Sequence, residues 1–331
     1  MTQPRLDVIA IGNAIVDVIA DADDAFLAAQ GLDKGSMRLI DAAEADRLYG
    51  VMGPGRELSG GSAGNTAAGL AALGCMAGYI GQVGTDQLGE IYEHDITSLG
   101  VEFLTRPRGD VGATARSLIL VTPDAQRTMN TFLGAAQLLD SSSIEPAVIA
   151  DAGILYLEGY LWDPLVPRAA MLAAIDAARA AGRKVAFTLS DSFCIARHRD
   201  GFLNLIEDGR IDILFANEAE ITELARESDF EAAVAAIAPL VPMLVVTRSE
   251  RGAIALAGGA RAEVPAEPIE RLVDTTGAGD LFAAGFLAGQ ARGRSLEASL
   301  KLGAIAAAEV IQHYGARPEA DLKALAGDLL D

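Results

Sequence analysis

Residues Gly153–Ser190 read GILYLEGYLWDPLVPRAAMLAAIDAARAAGRKVAFTLS. An apolar run, GILYLEG (153–159), passes into a stretch that predicts a helix near 166–181, and a second apolar run, KVAFTLS (184–190), follows it. Two more such runs, IDILFAN (211–217) and MLVVT (243–247), continue the series at about 30 residues per unit, the length of a strand, a crossover helix and a return strand. Strands that are apolar throughout, rather than alternating, belong to a parallel sheet covered on both faces. The expected fold is therefore α/β, a Rossmann-like, mainly parallel sheet with helices on both sides, in which ligands gather beyond the carboxyl ends of the strands.

The first third of the chain breaks that rhythm. DVIAIG (7–12) and IVDVIA (15–20) predict two strands around a Gly-Asn turn, and SMRLI (36–40) predicts a short third. GGSAGNTAAGLAALG (60–74) predicts a glycine turn opening a helix of small residues, with AGYIGQVG (77–84) as the next strand. ATARSLILV (113–121) and QRTMNTF (126–132) predict a strand pair joined at TPDA (122–125), where Pro123 and Asp124 supply turn chemistry. These short strands predict a small discontinuous β lid, roughly residues 14–45 with 103–133, beside the main sheet of one domain spanning residues 1–331. Repeats, low-complexity tracts and long linkers are absent.

With 51% apolar residues, 331 residues suffice for a large buried core. A formal charge of −20 argues against binding to nucleic acid or to anionic membranes, since no basic stripe meets the phosphates. Cys75 and Cys194 stand apart and outside any metal-ligand pattern, which predicts free thiols and a cytoplasmic setting. The apolar N-terminal run is broken by Asn13 and Asp17, so it predicts neither a signal peptide nor a membrane span.

The segment DTTGAGDLFAAGFLAG (274–289) places two carboxylates around a Gly-Ala-Gly turn that opens a helix. If the helix starts near Gly277, the free amides of Gly277, Ala278, Gly279 and Asp280 point out of its N-terminus, where the macrodipole favours an anion. Asp280 in the same turn could take a proton from a hydroxyl attacking a phosphorus. The plainer alternative is an acidic first turn that complements the dipole. NEAE (217–220) is an Asn-x-x-Glu capping box, whose Glu220 could also hold a magnesium-bound water. TRSERGA (247–253) turns back from a strand into IALAGG (254–259) and reads as a charged hairpin loop. A Gly-x-Ser-x-Gly pattern at Gly60–Gly64 raises a serine hydrolase with His313 downstream, but MGPGRELS (52–59) offers no apolar strand leading into it. His94 and His198 lack partners at metal spacing and are expected at the surface. Neither a P-loop nor a Gly-x-Gly-x-x-Gly fingerprint after the first strand is present.

Taken in order, GGSAGNTAAGLAALG, GQVGTDQLG, NEAE and DTTGAGDLFAAGF resemble the ribokinase-like (PfkB) family of sugar and nucleoside kinases, over Asp7 to about Gly315. GNAIVD (12–17), TPDAQRTMNTFLGAA (122–136) and FTLSDSF (187–193) before DILFANEAE (212–220) look most like its adenosine kinase branch. The resemblance implies transfer of the γ-phosphoryl of ATP to a primary hydroxyl, the 5′-OH of adenosine first, with a ribokinase- or fructokinase-type sugar as the alternative. It implies Asp280 as catalytic base, Gly277, Ala278 and Gly279 as anion hole, and Arg127 near the phosphates. Asn13, Asp17, Gly60, Gly61 and Asn65 would bind the hydroxyls of the acceptor, and Phe193 would flank it. Asn217, Glu220, Thr247 and Gly252 would face ATP, with Mg2+ held through water at Glu220. Asp274 and Thr276 would hold a monovalent cation such as K+. A small-molecule acceptor and a monomer or homodimer complete the expectation.

Overall fold

The computed structural model describes residues 4–331. Fourteen strands occur among them: Leu6–Ile11 (β1), Ile15–Asp21 (β2), Met37–Leu39 (β3), Gly55–Ser59 (β4), Ala77–Ile80 (β5), Val101–Phe103 (β6), Ala115–Val121 (β7), Arg127–Phe132 (β8), Ala152–Glu158 (β9), Lys184–Thr188 (β10), Ile213–Asn217 (β11), Met243–Thr247 (β12), Ala253–Ala257 (β13) and Ala260–Val264 (β14). Nine of them form one sheet in the order β14-β13-β12-β11-β10-β9-β1-β5-β6. From β12 to β6 every neighbouring pair is parallel, and β13 and β14 add an antiparallel edge.

The two-residue period of a strand divides the core into two layers. Val8 and Ala10 of β1 and Ile154 and Tyr156 of β9 join the layer under the helices Ser62–Ala72, Ala278–Ala291 and Leu296–Val310. Ile9, Ile11, Leu155 and Leu157 face the opposite way, under Leu165–Ala180 and Ser192–Glu207. Burial on both faces is the reason these strands read as unbroken apolar runs.

The other five strands form a separate sheet, β3-β8-β7-β2-β4. The chain leaves the larger sheet at Ile11 and enters the smaller one at Ile15, so three residues, Gly12–Ala14, join the two. On β2, Val16, Val18 and Ala20 are buried with Leu27 and Leu48 of the overlying helices, which turns Asp17 to the opposite face. Cross-strand register brings Ser117 and Thr131 level with Asp17, and Val121 level with Arg127. Asp17 and Arg127 thus share the face turned away from those helices.

Two boundaries differ from the ranges expected for the small sheet. Gly55–Ser59, outside both ranges, is its edge strand β4, and Val101–Phe103 belongs to the larger sheet as β6. GRELS carries Arg56 and Glu57 on an exposed edge, where a strand needs no apolar run. Ser62 is therefore preceded by a strand after all, but by an edge strand of the small sheet rather than a central strand of the large one.

Candidate active site

The helix Ala278–Ala291 is capped by Gly277 at φ 80°, a left-handed conformation that favours glycine. A Cβ on Gly277 would also stand 2.6 Å from the Cβ of Ala316. Gly279 is different, since a Cβ there would meet nothing within 4 Å. Packing does not require a glycine at Gly279, and its bare backbone leaves the helix N-terminus open to a ligand. Of the amides expected to be free, that of Ala278 donates to the Thr275 carbonyl at 3.2 Å.

Asp280 lies in this first turn and is held from across the site. Ser62 Oγ donates to its Oδ1 at 2.6 Å and Asn65 Nδ2 to its Oδ2 at 2.9 Å. Thr66 Oγ1 donates to the Asp280 carbonyl at 3.2 Å. All three donors come from the first turns of helix Ser62–Ala72, whose N-cap Gly61 sits at φ 82°. A Cβ on Gly61 would collide with the Asn13 carbonyl, and one on Gly60 would stand 2.5 Å from Asp17 Oδ2. Burial raises the Asp280 carboxyl above its ordinary range, while the donors Ser62 and Asn65 and the Arg317 charge pull it back.

The Asp17 carboxylate has no hydrogen-bond partner among the described residues, and burial pushes it up to about 6 against the opposing charges of Arg127 and Arg317. Asn13 does not face solvent: its backbone amide and Nδ2 donate to Glu158 Oε1 at 2.8 and 2.7 Å. Glu158, fully buried at the end of β9, also accepts from the Ala63 amide at 2.8 Å, and burial raises it to about 7. Glu158 therefore ties the turn after β1 to the helix that carries Ser62 and Asn65. Phe193 lies in the first turn of helix Ser192–Glu207 and is 75% exposed, so nothing in the protein covers the aromatic face expected beside the acceptor.

Arg127 reaches from β8 to the main body, where its guanidinium binds Asp274 and donates to Thr276 Oγ1 at 3.0 Å. The Asp274 carboxylate also accepts from Thr276 N at 3.0 Å, Thr276 Oγ1 at 2.7 Å and Gly315 N at 3.1 Å. Burial raises this carboxyl, but the Thr276 and Gly315 donors and the Arg127 charge hold it below its ordinary range. Asp274 and Thr276, expected to hold a monovalent cation, are engaged here by the Arg127 guanidinium.

On the other half of the sheet, Asn217 and Thr247 stand level at the carboxyl ends of β11 and β12. The Asn217 capping box is complete: Asn217 Oδ1 accepts from Glu220 N at 2.8 Å, and the Glu220 carboxylate accepts Asn217 N at 3.0 Å and Nδ2 at 2.6 Å. Burial raises Glu220 to about 7. Each of its oxygens holds one Asn217 donor and keeps a lone pair, which fits a magnesium-bound water better than direct ligation. Among the described residues no three of His, Cys, Asp or Glu converge on a metal site. Gly252 lies against the Val264 carbonyl with no room for a side chain.

The hydrolase reading fails on geometry. Ser62 Oγ is bonded to Asp280 rather than to a histidine, and His313 Nε2 lies 3.1 Å from Glu309 Oε1. His94 is exposed as expected, whereas His198 is half-buried against Asp163. No sequence signal marks Glu158, which reads as the last residue of an apolar strand, or Arg317 in a polar stretch. Ser62 was visible only as a nucleophile.

Residues 37–322 match the pfkB family carbohydrate kinases. The chain belongs to this family. It is a phosphotransferase with an alcohol group as acceptor. The crystal structure of adenosine kinase from Sinorhizobium meliloti is 50% identical, covers 97% of this chain and 98% of that one, and superposes with a TM-score of 0.89. A probable sugar kinase protein from Rhizobium etli is also 50% identical, over 98% of both chains, with a TM-score of 0.90. The adenosine kinase of Saccharomyces cerevisiae is 26% identical over 95% of this chain and 96% of its own length. Among the described residues no helix is long and apolar enough to cross a membrane.

Proposed function

We propose that this kinase transfers the γ-phosphoryl of ATP to the 5′-OH of adenosine. The observation that carries the reading is the arrangement of Asp280, fixed by Ser62 and Asn65 at the helix start that Gly277 and Gly279 leave bare of side chains, opposite an unpartnered Asp17 on the smaller sheet. Asp17 accepts two adjacent hydroxyls of the acceptor, one on each carboxylate oxygen, and so presents the primary hydroxyl to Asp280. Asp280 takes that proton as the hydroxyl attacks, and the helix N-terminus stabilises the charge on the transferring group. A bound Mg2+ would neutralise phosphate charge, with Glu220 orienting one of its waters. Arg127 stays with Asp274 in place of a monovalent cation and keeps positive charge between the smaller sheet and the anion hole. Phe193 supplies an apolar wall for the base. The two buried free cysteines suit a reducing compartment such as the cytoplasm.

Adenosine is preferred because the Sinorhizobium meliloti adenosine kinase matches this chain almost end to end. A sugar acceptor is the second reading, favoured by the equal similarity of the probable sugar kinase from Rhizobium etli. ATP consumption measured with adenosine, inosine, guanosine, ribose, fructose and glucose separates the two. Adenosine is expected to give the highest kcat/KM, and turnover confined to ribose or fructose would replace it.

A further inference from the structure

The segment that follows helix Leu296–Val310 returns across the site. Gly315 N donates to Asp274, Ala316 packs against Gly277, and Arg317 docks on the turn that runs past Asp17 and carries Ser62 to Asp280. Arg317 Nη1 donates to the Gly64 carbonyl at 2.9 Å, and Nη2 donates to the Ser59 carbonyl and, at 3.0 Å, to Ser59 Oγ. It therefore bridges both ends of the turn that carries Gly60, Gly61 and Ser62. Tyr92 OH holds the Gly60 carbonyl at 3.2 Å, and Asp95 Oδ2 accepts from Ser59 N at 2.8 Å and Oγ at 2.6 Å, so the turn is fixed from several sides.

Every hydrogen-bond acceptor of Arg317 is neutral, and its buried Nε has no partner among the described residues. A half-buried guanidinium whose Nε is sealed from water, with no carboxylate bonded to it, is costly, and simple anchoring of a turn would not need its charge. The groups facing that charge are Asp17 from β2, Asp280 from helix Ala278–Ala291, Tyr79 from β5, and Tyr92 and Asp95 from helix Gln87–Ser98. Asp280 also faces Glu158 and Tyr156 of β9 and Tyr160 just beyond it, none of which is a cation. Arg127 faces Asp17, but its guanidinium is bound to Asp274.

We infer that Arg317 is a positioning residue for the phosphoryl transfer, a fixed positive charge that lets Asp17 and Asp280 stay ionised together while it holds the Ser59–Gly64 turn in register. The inference rests on the functional reading above, in which Asp280 accepts a proton and Asp17 accepts hydroxyls.

The test is the pH dependence of kcat and kcat/KM for wild type, Arg317→Gln and Arg317→Lys, with ATP and adenosine between pH 5.5 and 9, alongside the melting temperature of each. Arg317→Gln is expected to move the acid limb of both parameters to higher pH, losing about tenfold near pH 6 and recovering to within about threefold of wild type at pH 8.5. Arg317→Lys keeps the charge and should keep the acid limb in place, even where a looser turn raises KM. A Gln profile lowered by the same factor at every pH would reduce Arg317 to a structural anchor, and unchanged kinetics in both variants would remove it altogether. Should Arg317→Gln not fold, an acid limb displaced in Arg317→Lys overturns the charge role. If wild type phosphorylates none of the acceptors, the functional reading fails by itself. The Arg317 inference is then read from 13C titration of the Asp17 and Asp280 carboxylates without ligand, which must move to higher pH in Arg317→Gln.

Discussion

Replacing Ser62 by alanine tests the site at the point where two enzyme classes diverge. In the structure its hydroxyl donates to Asp280 Oδ1 at 2.6 Å, so its effect on a kinase must pass through the base. A hydrogen bond to a charged group contributes about 1.5–3 kcal/mol. The lower end applies, since Asn65 Nδ2 still holds the other oxygen at 2.9 Å. About 1.5 kcal/mol corresponds to about tenfold in rate. The missing donor had favoured the ionised carboxylate, so its loss moves the acid limb of kcat to higher pH. Most of the tenfold should therefore be seen on the acid side of the profile and little of it on the alkaline side. The assay is ADP release with adenosine as acceptor across that profile, with wild type and Ser62→Ala side by side. A kcat for Ser62→Ala equal to wild type at every pH would remove Ser62 from the support of the base. Stoichiometric labelling of wild-type Ser62 by a serine-directed phosphonate, with loss of activity, would overturn the kinase mechanism itself.

Three further outcomes follow from the same geometry. Asp280→Asn should leave ATP and acceptor binding within a few-fold but lower kcat by about 10²-fold or more, the usual contribution of a positioned base, and a near-normal single-turnover rate would exclude that role. Asp17→Ala should raise KM and lower kcat/KM by about 10 to 150-fold, the worth of its charged hydrogen bonds. A substrate lacking one ribose hydroxyl should lose little further in that background, and additive losses would show that Asp17 does not read the diol. With its carboxyl at about 6, Asp17 gains a proton as pH falls through that value, so KM for the acceptor should climb on the acid side in wild type and stay flat in Asp17→Ala. Replacing KCl by choline chloride should change kcat by less than about twofold, because the Arg127 guanidinium already neutralises Asp274, and a tenfold activation by K+ in wild type would refute that substitution.

The parts of the fold that could be read in the sequence are those whose signal is local. Strands β9 to β12 are apolar on both faces and recur at a steady spacing, and the Asn217 box is complete within four residues. Strand β4 is not legible because an edge strand with Arg56 exposed and Glu57 bonded to Tyr49 has no such pattern. The motifs around Gly60 and Asp280 were legible, whereas the bonds that join them were not. Ser62 and Asp280 are 218 residues apart, and Arg127 and Asp274 are 147 apart. Glu158 looks like strand and Arg317 like loop until tertiary packing brings Asn13, Ala63, Ser59 and Gly64 to them.

The return of Gly315–Arg317 over the helix start also sets a condition on synthesis. A ribosome delivers the two sheets, the turn at Gly60 and the Gly277–Asp280 helix start well before the residues that brace them. A chain that has not yet reached Arg317 has Asp17 and Asp280 without their shared countercharge, Asp274 without the Gly315 amide, and Gly277 without Ala316 against it. Domains generally fold as units as they emerge, so a segment that appears late, just before the helix Leu322–Ala326, is the one that completes the site. A ribosome that stops after the Ala278–Ala291 helix releases a chain with every recognisable family motif and an unfinished active centre.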